Sequence, residues 1–178
     1  MRLFIAIPLP DEVRARLGLL TSGVPAARWV RPENMHLTLR FLGEVADADA
    51  AHLDDVLSGL DDAAFSLRLS GLGTFGRGHK TRALWTGADG GPALMHLQDK
   101  IERVCQMQGF PPEARKFSAH VTLARFKMNP GKKLADFLEA HAGFATDPFW
   151  VDHFVLYRSH TGNEAPHYET LRTYDLRA

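Results

Sequence analysis

The sequence predicts an α+β fold built mainly from antiparallel strands, with helices on the outer faces. Apolar and alternating segments typical of strands recur along the chain, and the connections between them differ widely in length. One connection carries Leu53, Val56, Leu57 and Leu60 at helical spacing. Such different connections favour antiparallel pairing over a regular parallel sheet. With 178 residues, the chain is long enough to bury roughly 70% of its unfolded surface in one compact unit.

The first half of the chain has clear helix and turn signals between its strands. Pro10 and Asp11 give a helix start, and Gly43 is expected to end the strand before it. The glycine-rich stretch 71–78 predicts a loop, since it matches no phosphate-binding glycine motif. The predicted elements of this half are strands at 2–8, 28–30, 36–42, 65–69 and 82–86 and helices at 10–20 and 47–60.

The second half is predicted to contain a long helix, a strand, a short helix and two further strands. The long helix begins at Pro92, a residue that favours the first turn of a helix. It carries Cys105, which we expect to be a small core residue. The predicted bounds in this half are helices at 92–108 and 133–141 and strands at 118–126, 149–158 and 167–176.

A four-residue motif occurs twice, as His36-Leu-Thr-Leu39 and His120-Val-Thr-Leu123, 84 positions apart. On a strand, alternation places the His and Thr of each copy on one face and the apolar residues on the other. If the two halves face each other, two imidazoles and two hydroxyls meet in one cleft. Two imidazoles can move two protons, and two hydroxyls can hold an anion.

The repeated motif resembles the paired H-x-T/S-x motifs of the 2H phosphoesterase superfamily, most closely its bacterial RNA 2′,3′-cyclic phosphodiesterase (2′-5′ RNA ligase-like) branch. The resemblance extends over nearly the whole chain. One departure is Ala119, where the family usually has a proline before the second His; the change removes a backbone restriction but no catalytic group. Segments similar to the family are 2–8, 29–43, 82–85, 156–159, Gly162 and 168–169.

The resemblance implies a two-lobed, pseudo-symmetric fold, with mainly antiparallel sheets lining a central cleft and helices outside. Because the lobes of that family exchange segments along the sequence, residues 1–178 are expected to form a single domain. The implied reaction is hydrolysis of RNA or nucleoside 2′,3′-cyclic phosphate ends to 2′-phosphomonoesters. The partners are therefore expected to be RNA ends or nucleotides that carry this group.

The chemistry of a cyclic phosphate assigns a task to each motif residue. Ring opening needs a water activated on one side of phosphorus and a proton delivered to the departing oxygen on the other, and histidine suits both tasks. The family makes His36 the proton donor and His120 the proton acceptor, although the residues alone allow the roles to be exchanged. Thr38 and Thr122 are expected to donate hydrogen bonds to the phosphate oxygens. The scheme needs no metal and no cofactor.

Five further side chains complete the list of candidates. Arg125 matches a family arginine that contacts the phosphate or base; it lies off strict alternation from His120, so it must act from a strand end or a bulge. Arg40 is either a second phosphate contact or an exposed strand residue. Phe41 either stacks on a nucleobase or packs in the core. His160 and His167 are expected near the rim of the cleft.

Two other functions fit the same residues. A ligase would run the reaction backwards and join RNA ends through a 2′-5′ bond, which the site residues alone do not separate from hydrolysis. A non-catalytic module would only grip a nucleotide or RNA end, but binding a phosphate does not require two titrating groups.

Composition restricts the partners and the location. Lys+Arg and Asp+Glu are equal at 21 each, so the chain lacks the overall basic charge common in proteins that bind long nucleic acids, and no DNA partner is expected. The single Cys105 fits a reducing compartment. We find no apolar run of membrane-spanning length and no signal peptide pattern, so we expect a cytoplasmic monomer.

Overall fold

The computed structural model describes residues 1–162 and 165–178. Within them the chain forms nine strands and four α-helices, in the order expected of an α+β protein. The strands are β1 (Arg2–Pro8), β2 (Arg28–Trp29), β3 (His36–Glu44), β4 (Phe65–Phe75), β5 (Ala83–Asp89), β6 (His120–Arg125), β7 (Phe149–Val151), β8 (His153–His160) and β9 (His167–Asp175). The helices are α1 (Asp11–Gly18), α2 (Asp47–Ser58), α3 (Gly91–Met107) and α4 (Gly131–Ala140).

The strands form one sheet in the order β7-β4-β5-β6-β3-β1-β8-β9, and the short β2 pairs with β6. Every pair of named strands is antiparallel. The sheet curls, because β7 lies at one end of this order and β8 near the other although only Asp152 separates them in sequence. The predicted strand 149–158 is therefore two strands, which pair with different partners.

The centre of the sheet is a narrow junction between its two halves. Strands β3 and β6 share a single register pair, Leu37 with Val121, and then diverge. Beyond the junction β2 takes the place of β3 along β6, with Trp29 opposite Ala124. Both motif strands therefore start at the junction, each belonging to a different half of the sheet.

The hydrophobic core lies between the sheet and the helices. One face of β1 contributes Leu3, Ile5 and Ile7, each at most 1% exposed. Helix α3 covers the sheet with Leu94, Leu97, Ile101 and Cys105, whose spacing keeps them on one side of the helix. Cys105 is thus a core residue as expected, and burial raises the pKa of its thiol to about 12. None of the helices in the described part of the chain is long and apolar enough to cross a membrane.

Two glycine positions differ from the prediction. Gly43 does not end β3: its positive φ of 74° lies at a bulge opposite Leu3, and the strand continues to Glu44. The stretch 71–75 is not a loop but the second half of β4. There the indole of Trp85 lies directly over Gly73, and a Cβ atom at position 73 would be only 2.3 Å from the ring. The close ring leaves no room for a side chain, which explains the glycine in this strand.

Candidate active site

His36 and His120 begin their strands in the same local geometry. The Nδ1 atom of His36 lies 2.7 Å from the carbonyl oxygen of Asn34, and that of His120 lies 2.6 Å from the carbonyl oxygen of Ser118. A carbonyl can only accept a hydrogen bond, so Nδ1 carries the proton in both rings. In each ring Nε2 is therefore the nitrogen that can take up or release a proton.

The register of the junction places the four motif side chains on one face. Leu37 and Val121 lie opposite each other, so their sequence neighbours His36, Thr38, His120 and Thr122 project from the other face of the junction. All four side chains are half-buried, whereas Leu37, Leu39, Val121 and Leu123 on the other face are buried. The alternation read from the sequence is confirmed.

His36 lies among aromatic rings. Its ring centroid is 4.8 Å from that of Phe4 and 5.3 Å from that of Tyr168, and Tyr157 stacks on the same Phe4 ring. This burial lowers the pKa of His36 to about 4, although the hydrogen bond to Asn34 opposes the shift. Arg125 and His120 act in the same direction as burial, because positive charge beside the ring disfavours its protonated form. In the free protein, His36 is therefore neutral at pH 7.

His120 has an aromatic surrounding of its own, from the other half of the sheet. Phe75 meets its ring edge-on with centroids 4.9 Å apart, and the Trp85 ring lies at 6.2 Å. Phe75 and Trp85 come from the paired strands β4 and β5, as Phe4 and Tyr157 come from β1 and β8. No role for any of these four residues could be predicted from local spacing, because their rings meet the histidines through pairing between strands.

The two motif strands contain the same bulge at the same position. In β3, Thr38 and Arg40 pair with the consecutive residues Ala6 and Ile5, so Leu39 is extra. In β6, Thr122 and Ala124 pair with Trp85 and Leu84, so Leu123 is extra. Such a bulge reverses the alternation of the residues that follow. Phe41 and Arg125 each lie five residues after a motif histidine. Because of the bulge, each faces the same side of the sheet as that histidine.

Arg125 follows a bulge and ends β6, as its spacing from His120 predicted. It is exposed at the end of β6 on the same face as His120, and its charge acts on His36. Its structural counterpart in the other half is Phe41, which is 59% exposed, with its ring centroid 6.1 Å from that of Phe4. The expectation that Phe41 packs in the core is therefore wrong.

Both interpretations of Arg40 are wrong for the same reason. The bulge turns it to the core face, where it is only 7% exposed. Its Nε atom lies 2.6 Å from a carboxylate oxygen of Glu102, and its guanidinium also bonds to the carbonyl oxygens of Phe41 and Pro111. Arg40 thus holds α3 and the following loop against the sheet, on the side away from the histidines.

The β8–β9 hairpin contributes to the rim near His36. Tyr168 packs against His36, and the side-chain amide of Asn34 donates to the carbonyl oxygen of Pro166 at 2.8 Å. His160 and His167 lie on this hairpin with ring centroids 5.9 Å apart, and His160 pairs with Glu169 at 2.7 Å. In residues 1–162 and 165–178, no group of three or more His, Cys, Asp or Glu side chains is arranged to hold a metal ion.

Three comparisons place this arrangement among known proteins. The chain is similar to the RNA 2′,3′-cyclic phosphodiesterase of Geobacillus stearothermophilus, with 34% identity over 97% of this chain, although it spans only 56% of that protein's length. It is 35% identical to the enzyme of the same name from Thermotoga maritima, over 96% of this chain and 93% of the other. The crystal structure of Escherichia coli LigT in complex with 3′-AMP superposes with a TM-score of 0.77 and 26% identity, covering 98% of this chain and 97% of that one.

The family model of LigT-like phosphoesterases matches residues 7–85 and 88–168. These two ranges contain both motifs, Phe75, Trp85, Tyr157 and Tyr168. The resemblance inferred from the repeated motif is therefore confirmed, and with it the antiparallel fold. The chain belongs to the LigT-like phosphoesterase family.

Proposed function

We propose that this protein hydrolyses 2′,3′-cyclic phosphate ends of RNA or nucleosides to 2′-phosphomonoesters, by general acid and base catalysis with two histidines. The observation that carries the proposal is that His36 and His120 share one face of the junction, each with Nδ1 tied to a backbone carbonyl. Two Nε2 atoms are thereby left to act on one bound group. The phosphodiesterase names of the relatives support the same reaction.

In the proposed reaction, water attacks phosphorus while its proton passes to Nε2 of His120. The bond from phosphorus to O3′ breaks on the opposite side, and O3′ takes the proton held on Nε2 of His36. The product carries the phosphate on O2′. Thr38 and Thr122 donate hydrogen bonds to the non-bridging oxygens as these gain charge, and Arg125 balances the charge of the phosphate. No step requires a metal ion or a cofactor.

The exchanged assignment is a second candidate, and the pKa of His36 favours it. A ring with a pKa of about 4 is neutral at pH 7, as a proton acceptor must be. For His36 to act as donor, the bound phosphate must raise its pKa, since an adjacent negative charge favours the protonated ring. The reaction class is the same under both assignments.

Phe41 supports a place for the nucleobase. Its exposed ring lies on the outward face of β3, at the position that corresponds to Arg125 in β6. We propose that a base stacks on it, which is worth about 1–3 kcal/mol for comparable aromatic platforms.

Hydrolysis is preferred over 2′-5′ ligation, since water at ~55 M competes with a second RNA end unless the site excludes it. The protein is proposed to act as a cytoplasmic monomer on RNA ends, without DNA or a membrane as partner.

The deciding experiment is incubation of the pure protein with a nucleoside 2′,3′-cyclic phosphate and identification of the product isomer. We expect the 2′-phosphomonoester. The 3′ isomer would contradict cleavage at O3′, and absence of any product would contradict an enzymatic function. His36→Ala and His120→Ala should each be nearly inactive, while His52→Ala, which removes an exposed imidazole from α2, should retain full activity.

A further inference from the structure

The positive charges of this electrically neutral chain are segregated along the sequence. The stretches 13–32, 63–88 and 114–135 contain no Asp or Glu and hold four, four and six lysines and arginines, out of 21 in the chain. All 21 acidic residues lie outside them. The overall balance therefore conceals a strongly basic part of the molecule, and the fold decides where it lies.

The three stretches meet beside the candidate active site. They supply β2, β5 and β6, and β6 pairs with the other two. Arg28 on β2 lies directly opposite Arg125 on β6. The backbone of Arg82 accepts a hydrogen bond from the amide of Phe126, which places Arg82 on the other side of the same strand end. Lys127 follows two residues after Arg125 and is exposed, as are all three arginines.

The pairing of Arg28 with Arg125 is unfavourable by itself. Two like charges directly opposite in antiparallel strands repel each other and destabilise the sheet. No acidic side chain of the described residues forms an ion pair with Arg28, Arg82, Arg125 or Lys127. By contrast, Arg172 pairs with Asp54 and Arg40 pairs with Glu102. The uncompensated cluster is therefore suited to bind an external anion.

The cluster is continuous with the catalytic face. The guanidinium of Arg82 lies over the ring of Phe75, 5.9 Å from its centroid, and the same ring meets His120 edge-on at 4.9 Å. Arg125 acts electrostatically on His36. Arg28, Arg82 and Lys127 thus surround the outer side of Arg125 and extend the positive charge away from the two histidines, across neighbouring strands spaced about 4.8 Å apart.

We propose that Arg28, Arg82 and Lys127 bind the phosphate backbone of single-stranded RNA leading to the cyclic end, so that the preferred substrate is an oligonucleotide and not a single nucleotide. This inference rests on the proposed function. The ligand is expected to be a single strand, because its terminal cyclic phosphate must enter the junction while the preceding phosphates lie along the cluster outside. Three cations on neighbouring strands can contact a few successive phosphates of one chain. Contacts of this kind bind without regard to base sequence and weaken steeply with salt.

The test compares two substrates at several salt concentrations. One is a nucleoside 2′,3′-cyclic phosphate and the other a six-nucleotide single-stranded RNA that ends in the same group. We expect the oligonucleotide to have the higher kcat/KM at low salt and to lose that advantage as salt increases. Arg28→Ala, Arg82→Ala and Lys127→Ala should each lower kcat/KM about 3–10-fold for the oligonucleotide alone. Each should also reduce the slope of log kcat/KM against log salt by about 0.7, the value for one phosphate contact on a single strand.

Arg103→Ala is the matched control, since it removes the same charge from an exposed position on α3. It should leave both substrates and both slopes unchanged. Equal kcat/KM and equal salt slopes for the two substrates would overturn the backbone site while leaving the proposed function intact. If neither substrate is hydrolysed, direct binding of a 2′-phosphorylated six-nucleotide RNA, with and without Arg28→Ala, tests the site independently. Preference for duplex RNA over the single strand would also overturn the proposal.

Discussion

His36 and His120 make the same hydrogen bond, from Nδ1 to the carbonyl oxygen of the residue two positions earlier. The shared contact gives both rings the same tautomer and directs both Nε2 atoms away from the backbone. The surroundings nevertheless differ, because aromatic burial lowers the pKa of His36 to about 4. Two rings that are locally equivalent can thus have different tasks.

The first prediction separates the two histidines by leaving group. His36→Ala and His120→Ala should each lose about 10²–10⁴-fold in kcat/KM on a cyclic phosphate, and the wild type should show a bell-shaped pH profile. On a nitrophenyl phosphodiester, whose leaving group needs no proton, the variant that lacks the proton donor should recover much of its loss. Recovery by His36→Ala supports His36 as donor, and recovery by His120→Ala supports the exchanged roles. Equal, undiminished losses would mean that the rings only bind the phosphate.

The second prediction concerns the motif hydroxyls. Thr38→Ala and Thr122→Ala each remove one hydrogen bond to a charged group, which is worth about 1.5–3 kcal/mol. We expect kcat/KM on a nucleoside 2′,3′-cyclic phosphate to fall about 10–150-fold in each variant. Thr38→Ser and Thr122→Ser keep the hydroxyl and serve as controls that should remain within a few-fold of wild type. Alanine variants as active as the serine variants would mean that the threonines only fill strand positions.

The third prediction concerns metal ions. Hydrolysis should proceed at an unchanged rate in excess EDTA, because the two imidazoles supply both proton transfers and the described residues offer no cluster of metal ligands. Initial rates with and without the chelator provide the measurement. Inhibition by EDTA that a single divalent ion reverses would refute the two-histidine mechanism.

The fourth prediction relates the buried His36 to acid stability. Its pKa of about 4 in the folded protein lies below the ordinary value of 6.5, so between these two pH values the unfolded chain binds more protons. The contribution to stability is complete above pH 6.5 and is lost as the pH falls towards 4. We expect the free energy of unfolding, from urea titrations, to lose about 2 kcal/mol from this group between pH 6.5 and pH 5.

The variant His36→Phe isolates that contribution from those of other titrating groups. The substitution keeps an aromatic ring beside Phe4, Tyr157 and Tyr168, which surround His36, but removes the titrating nitrogens. The wild type should therefore lose stability relative to this variant as the pH falls. Parallel curves for the two proteins from pH 7.5 to pH 5 would show that His36 is not held neutral by burial.

The fifth prediction tests the role of Arg40 as a core contact. Arg40→Ala leaves the carboxylate of Glu102 without its buried partner, which we expect to cost about 3 kcal/mol in the free energy of unfolding. Arg40→Met combined with Glu102→Leu removes both charges and should recover much of this loss. The kcat/KM of the folded single variant should stay near wild type. A large loss of kcat/KM without a loss of stability would instead restore Arg40 as a phosphate contact.

The sequence alone was sufficient to identify the motif face and the order of the elements. Alternation over four residues depends only on local strand geometry, so His36, Thr38, His120 and Thr122 could be assigned to one face directly. The helical spacing in α2 likewise indicated its buried side. Even the unusual position of Arg125 was explained by a bulge, because five residues after His120 is incompatible with strict alternation.

Only the tertiary structure decided what depends on pairing between distant strands. The bulge at Leu39 is visible in the register of β3 against β1 and not in the motif, so the sequence did not reveal that Arg40 turns to the core while Phe41 turns outward. The aromatic surroundings of the two histidines come from other strands, and with them the low pKa of His36. The repulsive pair of Arg28 and Arg125 joins residues nearly 100 positions apart, which local spacing does not encode because contacts across a sheet are set by strand order and register.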